Sequence, residues 1–256
     1  MTPAKTPAIT ADPWQSLQTF TDARIALGRT GVSVPLQEAL KFKLAHAHAR
    51  DAVYSSLDCD ALMQALEIFQ LPLYRLHSIA STREEYLKRP DHGRRLNTSS
   101  VTLLKEISPS PTEVAFVLAD GLSATAINKH AIPVLNFCIS MLKHSGISLA
   151  PITLVEQARV ATGDEIGELL HARLVVVLIG ERPGLTSPDS MGAYITYAPA
   201  VGLTDEARNC ISNIRPEGLP YKEAADKIFY LIQEILKRQL SGVNLKDNSG
   251  EITASV

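Results

Sequence analysis

A chain of 256 residues, 45% hydrophobic and 20% charged, can bury a core without disulfides or metals and reads as a globular protein of one large or two modest domains. A net charge of −2 offers no field for nucleic acid or an anionic membrane, no apolar run reaches the roughly 18 residues of a membrane span, and none follows Lys5 as it would in a secretory leader. Three cysteines, Cys59, Cys138 and Cys210, are odd in number and far apart, so they define neither a disulfide framework nor a metal site and suit a reducing, cytoplasm-like compartment.

In chain order, residues 1–20 read as a flexible N-terminal segment, and helical periods dominate from 21 to 108, predicting a helical domain. Within it, "VPLQEALKFKLAHAHARDAVYSSL" sets Leu36, Leu40, Leu44, Ala47 and Val53 at near-helical spacing behind Pro35, as a long amphipathic helix would. "DCDALMQALEIFQL" opens on an acidic cap-like cluster and ends before Pro72. "STREEYLKRPDHGRRL" carries Ser81 and Glu84 at capping-box spacing and stops at Pro90. Strand signal is slight throughout this half.

Alternating Ser and Pro in "SPSPTE" (108–113) marks a linker, and the texture beyond it is different. Aliphatic runs at 113–120, 147–155, 173–181 and 192–199 alternate with the helical periods of "SATAINKHAIPVLNFCISMLKHSG" and "GDEIGELLHA". That β-α-β-α-β order predicts a doubly wound, mostly parallel, Rossmann-like α/β domain over 109–246, followed by a flexible tail at 247–256. Ligands bind such sheets outside the carboxyl ends of the strands, which directs attention to "ADGLS", "EQARVATGDE", "GERPGLTSPDS" and the segment after the fourth strand.

Each of these loops has an ordinary reading beside a functional one. "DGLSATA" offers either an anion-facing helix start or a tight turn capped by Ser123 or Thr125. Gly163 and Asp164 open the next helix with an acid that suits its dipole, and Val160 before them is by itself a packing residue. Glu181, at the tip of "RLVVVLIGE", could accept hydrogen bonds from a ligand's hydroxyl or amide groups, or could simply pair with Arg182. Cys210 would be a nucleophile if a neighbour such as Arg208 depressed its pKa, and otherwise a packing residue. His46 and His48, two residues apart, cannot share a helix face as zinc ligands do, and neither a G-x-S-x-G elbow nor a Walker sequence is present. The basic segments around Arg24, Arg29 and Arg94 read as solvated surface or as the face of a partner or anionic ligand.

The ordered set "DARIALGRTG", "LAHAHARDAV", "RPDHGRRL", "ADGLSATA", "ARVATGDEIGE", "VLIGERPGLTSPDS" and "CISNIRPEGL" resembles the small (light) subunit of ethanolamine ammonia-lyase over about residues 20–246. The resemblance implies an adenosylcobalamin-dependent lyase that converts ethanolamine to acetaldehyde and ammonia. It implies a large-subunit partner, a (β/α)8 barrel that holds the substrate and the radical chemistry, with the cofactor between the two chains and the isolated chain inactive. It implies cobalamin contacts at Val160, Glu181 and Cys210, with no catalytic residue and no metal ligand in this chain, since "PDHG" at 90–93 lacks the D-x-H-x-x-G spacing that supplies a His to cobalt. The cobalamin then keeps its own dimethylbenzimidazole, and this chain meets the nucleotide-bearing side. The N-terminus is short and Pro/Thr-rich where some relatives carry a microcompartment-directing extension, so localisation stays open between the cytoplasm and a bacterial microcompartment. The competing expectation from the residues alone is a stand-alone nucleotide- or corrinoid-binding module with a regulatory or carrier role.

Overall fold

The fold, taken from a computed structural model, is described for residues 9–107 and 110–246. The tail expected at 247–256, the first eight residues and the linker residues 108–109 lie outside the described residues. The chain is a mixed α/β protein built on one six-stranded sheet. Its strands are β1 (Leu73–His77), β2 (Thr112–Ala119), β3 (Ile152–Glu156), β4 (Ala172–Gly180), β5 (Met191–Tyr197) and β6 (Arg208–Ile214), in the order β1-β3-β2-β4-β5-β6. Pairings from β1 to β4 are parallel, whereas β5 and β6 pair antiparallel.

Period-2 alternation makes the sheet bury both faces. Phe116 and Leu118 of β2 with Val176 and Leu178 of β4 face one core, against helices α2 (Cys59–Leu66), α5 (Ala124–His144) and α7 (Tyr221–Arg238). Ala115 and Val117 with Val175 and Val177 face the other, against α4 (Thr98–Ile107) and α6 (Thr162–Leu169). Because α5 leaves β2 on one face and α6 leaves β3 on the other, the loops after these neighbouring strands diverge. A crevice at the strand tips is the consequence.

The structure corrects three sequence expectations and adds one strand. The half expected to be helical supplies β1, whose register runs Leu73 to Ile152 through His77 to Glu156. Only Leu76 of its five residues is buried, which is why its apolar signal is faint. The run 147–155 becomes strand only from Ile152, after Pro151. The cap of α3 (Arg83–Lys88) is shifted by one residue: Thr82 accepts from Glu85 N, and Glu85 in turn accepts from Ser81 N and Oγ. Edge strand β6 escaped notice because Asn209, Ser212 and Asn213 break its apolar alternation.

The long helix α1 (Leu36–Val53) forms behind Pro35 as the spacing predicts, but its leucine stripe is left uncovered among the described residues. Leu36, Leu40 and Leu44 are 74%, 54% and 58% exposed, and Ala52 is the helix's one buried residue. Before it, residues 9–35 hold a bridge between Thr10 and Arg29 and a 3-10 turn, Gln15–Phe20, that itself buries no residue. Among the described residues, no helix is long and apolar enough to cross a membrane.

Candidate functional site

The crevice at the strand tips is a cleft of about 460 Å³. Gly121 and Leu122 line it from the loop after β2, Arg159 and Val160 from the loop after β3, and Ile179 to Arg182 from the end of β4. Tyr86 of α3, Tyr194 of β5 and Ser212 of β6 close its sides.

The tips of β2 and β4 approach so closely that only glycine fits. A Cβ on Gly121, whose φ is +57°, would lie 2.2 Å from Gly180 O, and one on Gly180 would lie 2.0 Å from Ser123 O. Leu122 N donates to Gly180 O across this junction. The Gly in "ADGLS" therefore serves backbone approach. Ser123 sits at the N-cap of α5 without capping it, its Oγ donating instead to Pro188 O at 2.9 Å.

Asp120 organises the floor. Its buried carboxylate accepts from Gln157 N at 2.8 Å and Ala158 N at 2.9 Å, fixing the turn that presents Arg159 and Val160. Burial is the leading effect on this carboxyl and raises its pKa to about 6 against the opposing backbone donors and Arg83. Tyr86 lies between two guanidinium groups, Arg83 at 4.6 Å and Arg159 at 4.7 Å from its ring centroid, and burial pushes its hydroxyl up to about 12. Tyr86 Oη donates to Ala158 O at 3.3 Å, so the ring props the same turn.

Val160 and Glu181, nominated from sequence, both line the cleft. Glu181 makes no ion pair with Arg182. Its carboxylate accepts from Ser190 Oγ, Ser212 Oγ and Asn213 N, tying the tip of β4 to β5 and β6. Cys210 does not line the cleft itself but is the cross-strand partner of Tyr194, which does. The activated-thiol reading fails. Partial burial raises the Cys210 thiol, the Glu181 charge adds to this, and Tyr194 opposes it. Arg208, the proposed activator, is buried with Asp164.

Sequence reasoning passed over Arg159, although it sits beside Val160 in a strand-tip loop where a cation could have been flagged. It had no signal for Tyr86, which arrives from a distant helix. Neither Arg159 nor Arg182 makes an ion pair among the described residues, and the buried Arg159 Nε has no hydrogen-bond partner. Of "RPDHGRRL", Arg95 binds Glu165 through two hydrogen bonds while Gly93 O accepts from Arg159 N and Thr162 Oγ1. That segment docks onto the start of α6 and supports the cleft from behind.

The family model "Ethanolamine ammonia-lyase light chain (EutC)" matches residues 11–246. The chain belongs to this family. The match takes in every residue of the cleft, from Tyr86 to Ser212, and begins nine residues earlier than the expected start at about residue 20. Among curated relatives, the ethanolamine ammonia-lyase small subunit of Ralstonia nicotianae is 54% identical over 94% of this chain and 91% of its own length. Its counterparts from Azotobacter vinelandii (54%; 94% and 90%) and Xanthomonas campestris pv. campestris (53%; 93% and 89%) are similar to the same degree. As a light chain of ethanolamine ammonia-lyase, the protein is a component of an ammonia-lyase.

Proposed function

We propose that the chain is the small subunit of an adenosylcobalamin-dependent ethanolamine ammonia-lyase, supplying one wall of a cofactor site that a large catalytic subunit completes. The observation that carries this reading is the strand-tip cleft, which gathers Val160, Glu181 and Tyr194 from three separate segments, with Cys210 paired to Tyr194 across the strands just outside it.

The residues suit the group. Ile179, Leu122 and Val160 with Tyr194 offer apolar contact, and Glu181 offers acceptor oxygens to hydroxyl or amide groups. Arg159 and Arg182, free of carboxylate partners among the described residues, match an anionic phosphodiester on the nucleotide-bearing side. A volume of about 460 Å³ lies within the range of drug-sized sites, roughly 300–1,000 Å³, and is too small to enclose adenosylcobalamin whole. A second surface has to cover the rest. When bound, the cofactor supplies the homolytic cobalt–carbon cleavage that starts conversion of ethanolamine to acetaldehyde and ammonia. This chain's residues bind one side of it, orient it and keep water out.

The uncovered apolar surface supports docking of the large subunit at this end of the chain. Of the seventeen large hydrophobic residues exposed among the described residues, eleven fall between Ile9 and Leu44, a density that ordinary solvated surface does not show. Leu36, Leu40 and Leu44 give α1 the spacing of a helix that lays one face into a groove.

Mixing the chain with the large subunit and following complex formation by size and bound corrinoid by absorbance tests this reading. A stable complex that retains corrinoid, with no turnover by the chain alone, is expected. Full turnover by the chain alone overturns it. Tight corrinoid binding by the chain without any complex would instead make it a stand-alone corrinoid- or nucleotide-binding module.

A further inference from the structure

Arg83 joins α1 to the floor of the cleft. It is the first residue of α3, its side chain is 13% exposed, and it reaches three elements at once. Nε donates at 2.6 Å to the carbonyl of Val53, the last residue of α1. Nη1 donates at 2.8 Å to Gly121 O, in the cleft lining, and lies 3.5 Å from Asp120 and 3.4 Å from Gln157 Oε1. The guanidinium plane rests on Tyr86, another lining residue.

At the same point the two turns of the cleft floor are least free to adjust without one another. Gly121 and Gln157 both have positive φ, +57° and +54°, and the Asp120 carboxylate that fixes Gln157 and Ala158 is the one Arg83 approaches. On its other side Arg83 holds the buried end of α1. There, Ala52 is buried, Ser55 Oγ donates to Ala52 O at 2.7 Å, and Thr125 N donates to Ser55 Oγ at 3.1 Å. Further along α1 the Arg24 guanidinium lies 5.7 Å from the Phe42 ring centroid, while Leu36, Leu40 and Leu44 point outward, so the helix is held at its C-terminal end to the cleft floor and presents its leucine stripe to a partner.

We propose that Arg83 is a positioning residue that couples occupancy of the α1 surface by the large subunit to the shape of the cofactor cleft. This rests on the reading of α1 as the docking surface and of the cleft as the cofactor's. A partner that fixes α1 fixes the Val53 carbonyl, and through one rigid fork of donors fixes Gly121 O and the Tyr86 ring. Coupling of this kind is reciprocal: whatever factor the large subunit adds to cofactor affinity, the cofactor adds to subunit affinity. Lysine keeps the charge near Asp120 but cannot donate to Val53 O and Gly121 O in the same geometry.

Affinity of the full chain for the large subunit, measured with and without adenosylcobalamin, gives the coupling factor directly, and Arg83→Lys, Arg83→Met and parent are compared. In the parent a factor of about 5 to 150 is expected. In both variants it falls to within about twofold of unity, while the affinity of the cofactor-free chain for the large subunit changes by less than about threefold. Thermal denaturation of the isolated chain is read alongside: lysine is expected to preserve the fold better than methionine without restoring the coupling. A parent-like coupling factor in Arg83→Lys overturns the proposal, as does coupling that falls only in step with loss of fold. A parent complex that binds no corrinoid, or an unimpaired complex with Leu40→Asp, overturns the reading beneath it and the proposal with it.

Discussion

Leu40 and Leu178 are the same side chain in opposite circumstances. Leu178 of β4 is fully buried among the strands and α5, whereas Leu40 of α1 is 54% exposed with Leu36 and Leu44 beside it. Burying such a side chain contributes about 1.5–3 kcal/mol, so the body of the protein has already taken that stabilisation and the N-terminal region has not. Polar groups divide in the same way. The body holds a charge pair in its interior, Asp164 with Arg208, whereas the ion pair of α1, Lys41 with Glu38, is a local surface pair three residues apart. A region that folds on its own terms thus adjoins one whose apolar surface is suited to another molecule.

The largest effect expected in the body is from its buried ion pair. Arg208→Met leaves the Asp164 carboxylate, 2% exposed, without its cation and should cost about 3–5 kcal/mol in denaturant unfolding of the isolated chain. The comparison breaks if the variant is as stable as the parent, because the body would then not depend on its internal pairing.

Leucine truncation tests the contrast directly and ranks next. Leu178→Ala should cost about 2–5 kcal/mol, the transfer loss plus the cavity it leaves. Leu40→Ala should move the unfolding midpoint of the isolated chain by less than about 0.5 kcal/mol yet weaken association with the large subunit at least tenfold. Equal destabilisation by the two would mean that α1 already packs within its own chain.

A smaller effect lies in the pH dependence of the cleft floor. Asp120, with its pKa raised to about 6 by burial, binds its proton in the folded state at a pH where the unfolded chain, with a carboxyl near 3.8, has lost it. Its contribution to stability is therefore fully present below about pH 3.8 and is lost as pH rises through about 6. Unfolding midpoints of parent and Asp120→Asn compared from pH 4 to pH 7 should show the asparagine variant gaining on the parent as pH rises. A difference that stays flat across this window removes Asp120 as the titrating group.

The sequence makes different parts of this molecule legible to different degrees, for physical reasons. β2 and β4 were readable because strands buried on both faces must be continuously apolar, as "VAFVLA" and "LVVVLI" are. β1 and β6 were not, because edge strands are half solvated and carry Arg75, Asn209 and Ser212 in the positions that would otherwise complete an alternation. The apolar spacing of α1 correctly gives a helix, but spacing alone does not say whether the stripe meets its own core or another chain. Within the cleft, Val160 and Glu181 could be reached from strand-tip logic joined to the family resemblance. Tyr86 and Ser212 come from elements whose proximity only the fold creates.

Glu181→Gln produces the smallest effect on folding and the most informative one on the cleft. The carboxylate is held by Ser190, Ser212 and Asn213 N, so part of its role is to join β4 to the antiparallel edge of the sheet. Glutamine keeps one acceptor oxygen for those three donors and turns the other position into a donor facing hydroxyls that can reorient. The cost to the isolated chain should therefore be about 1 kcal/mol, close to that of a single hydrogen bond. Loss of the negative charge changes what the cleft can accept from a ligand and leaves Arg159 and Arg182 as its unopposed charges, so corrinoid affinity of the assembled enzyme should shift by more than the fivefold or so that a 1 kcal/mol change explains. An affinity change no larger than the stability change would reduce Glu181 to a strap between strands, and the acceptor role would then pass to another group on the cleft wall.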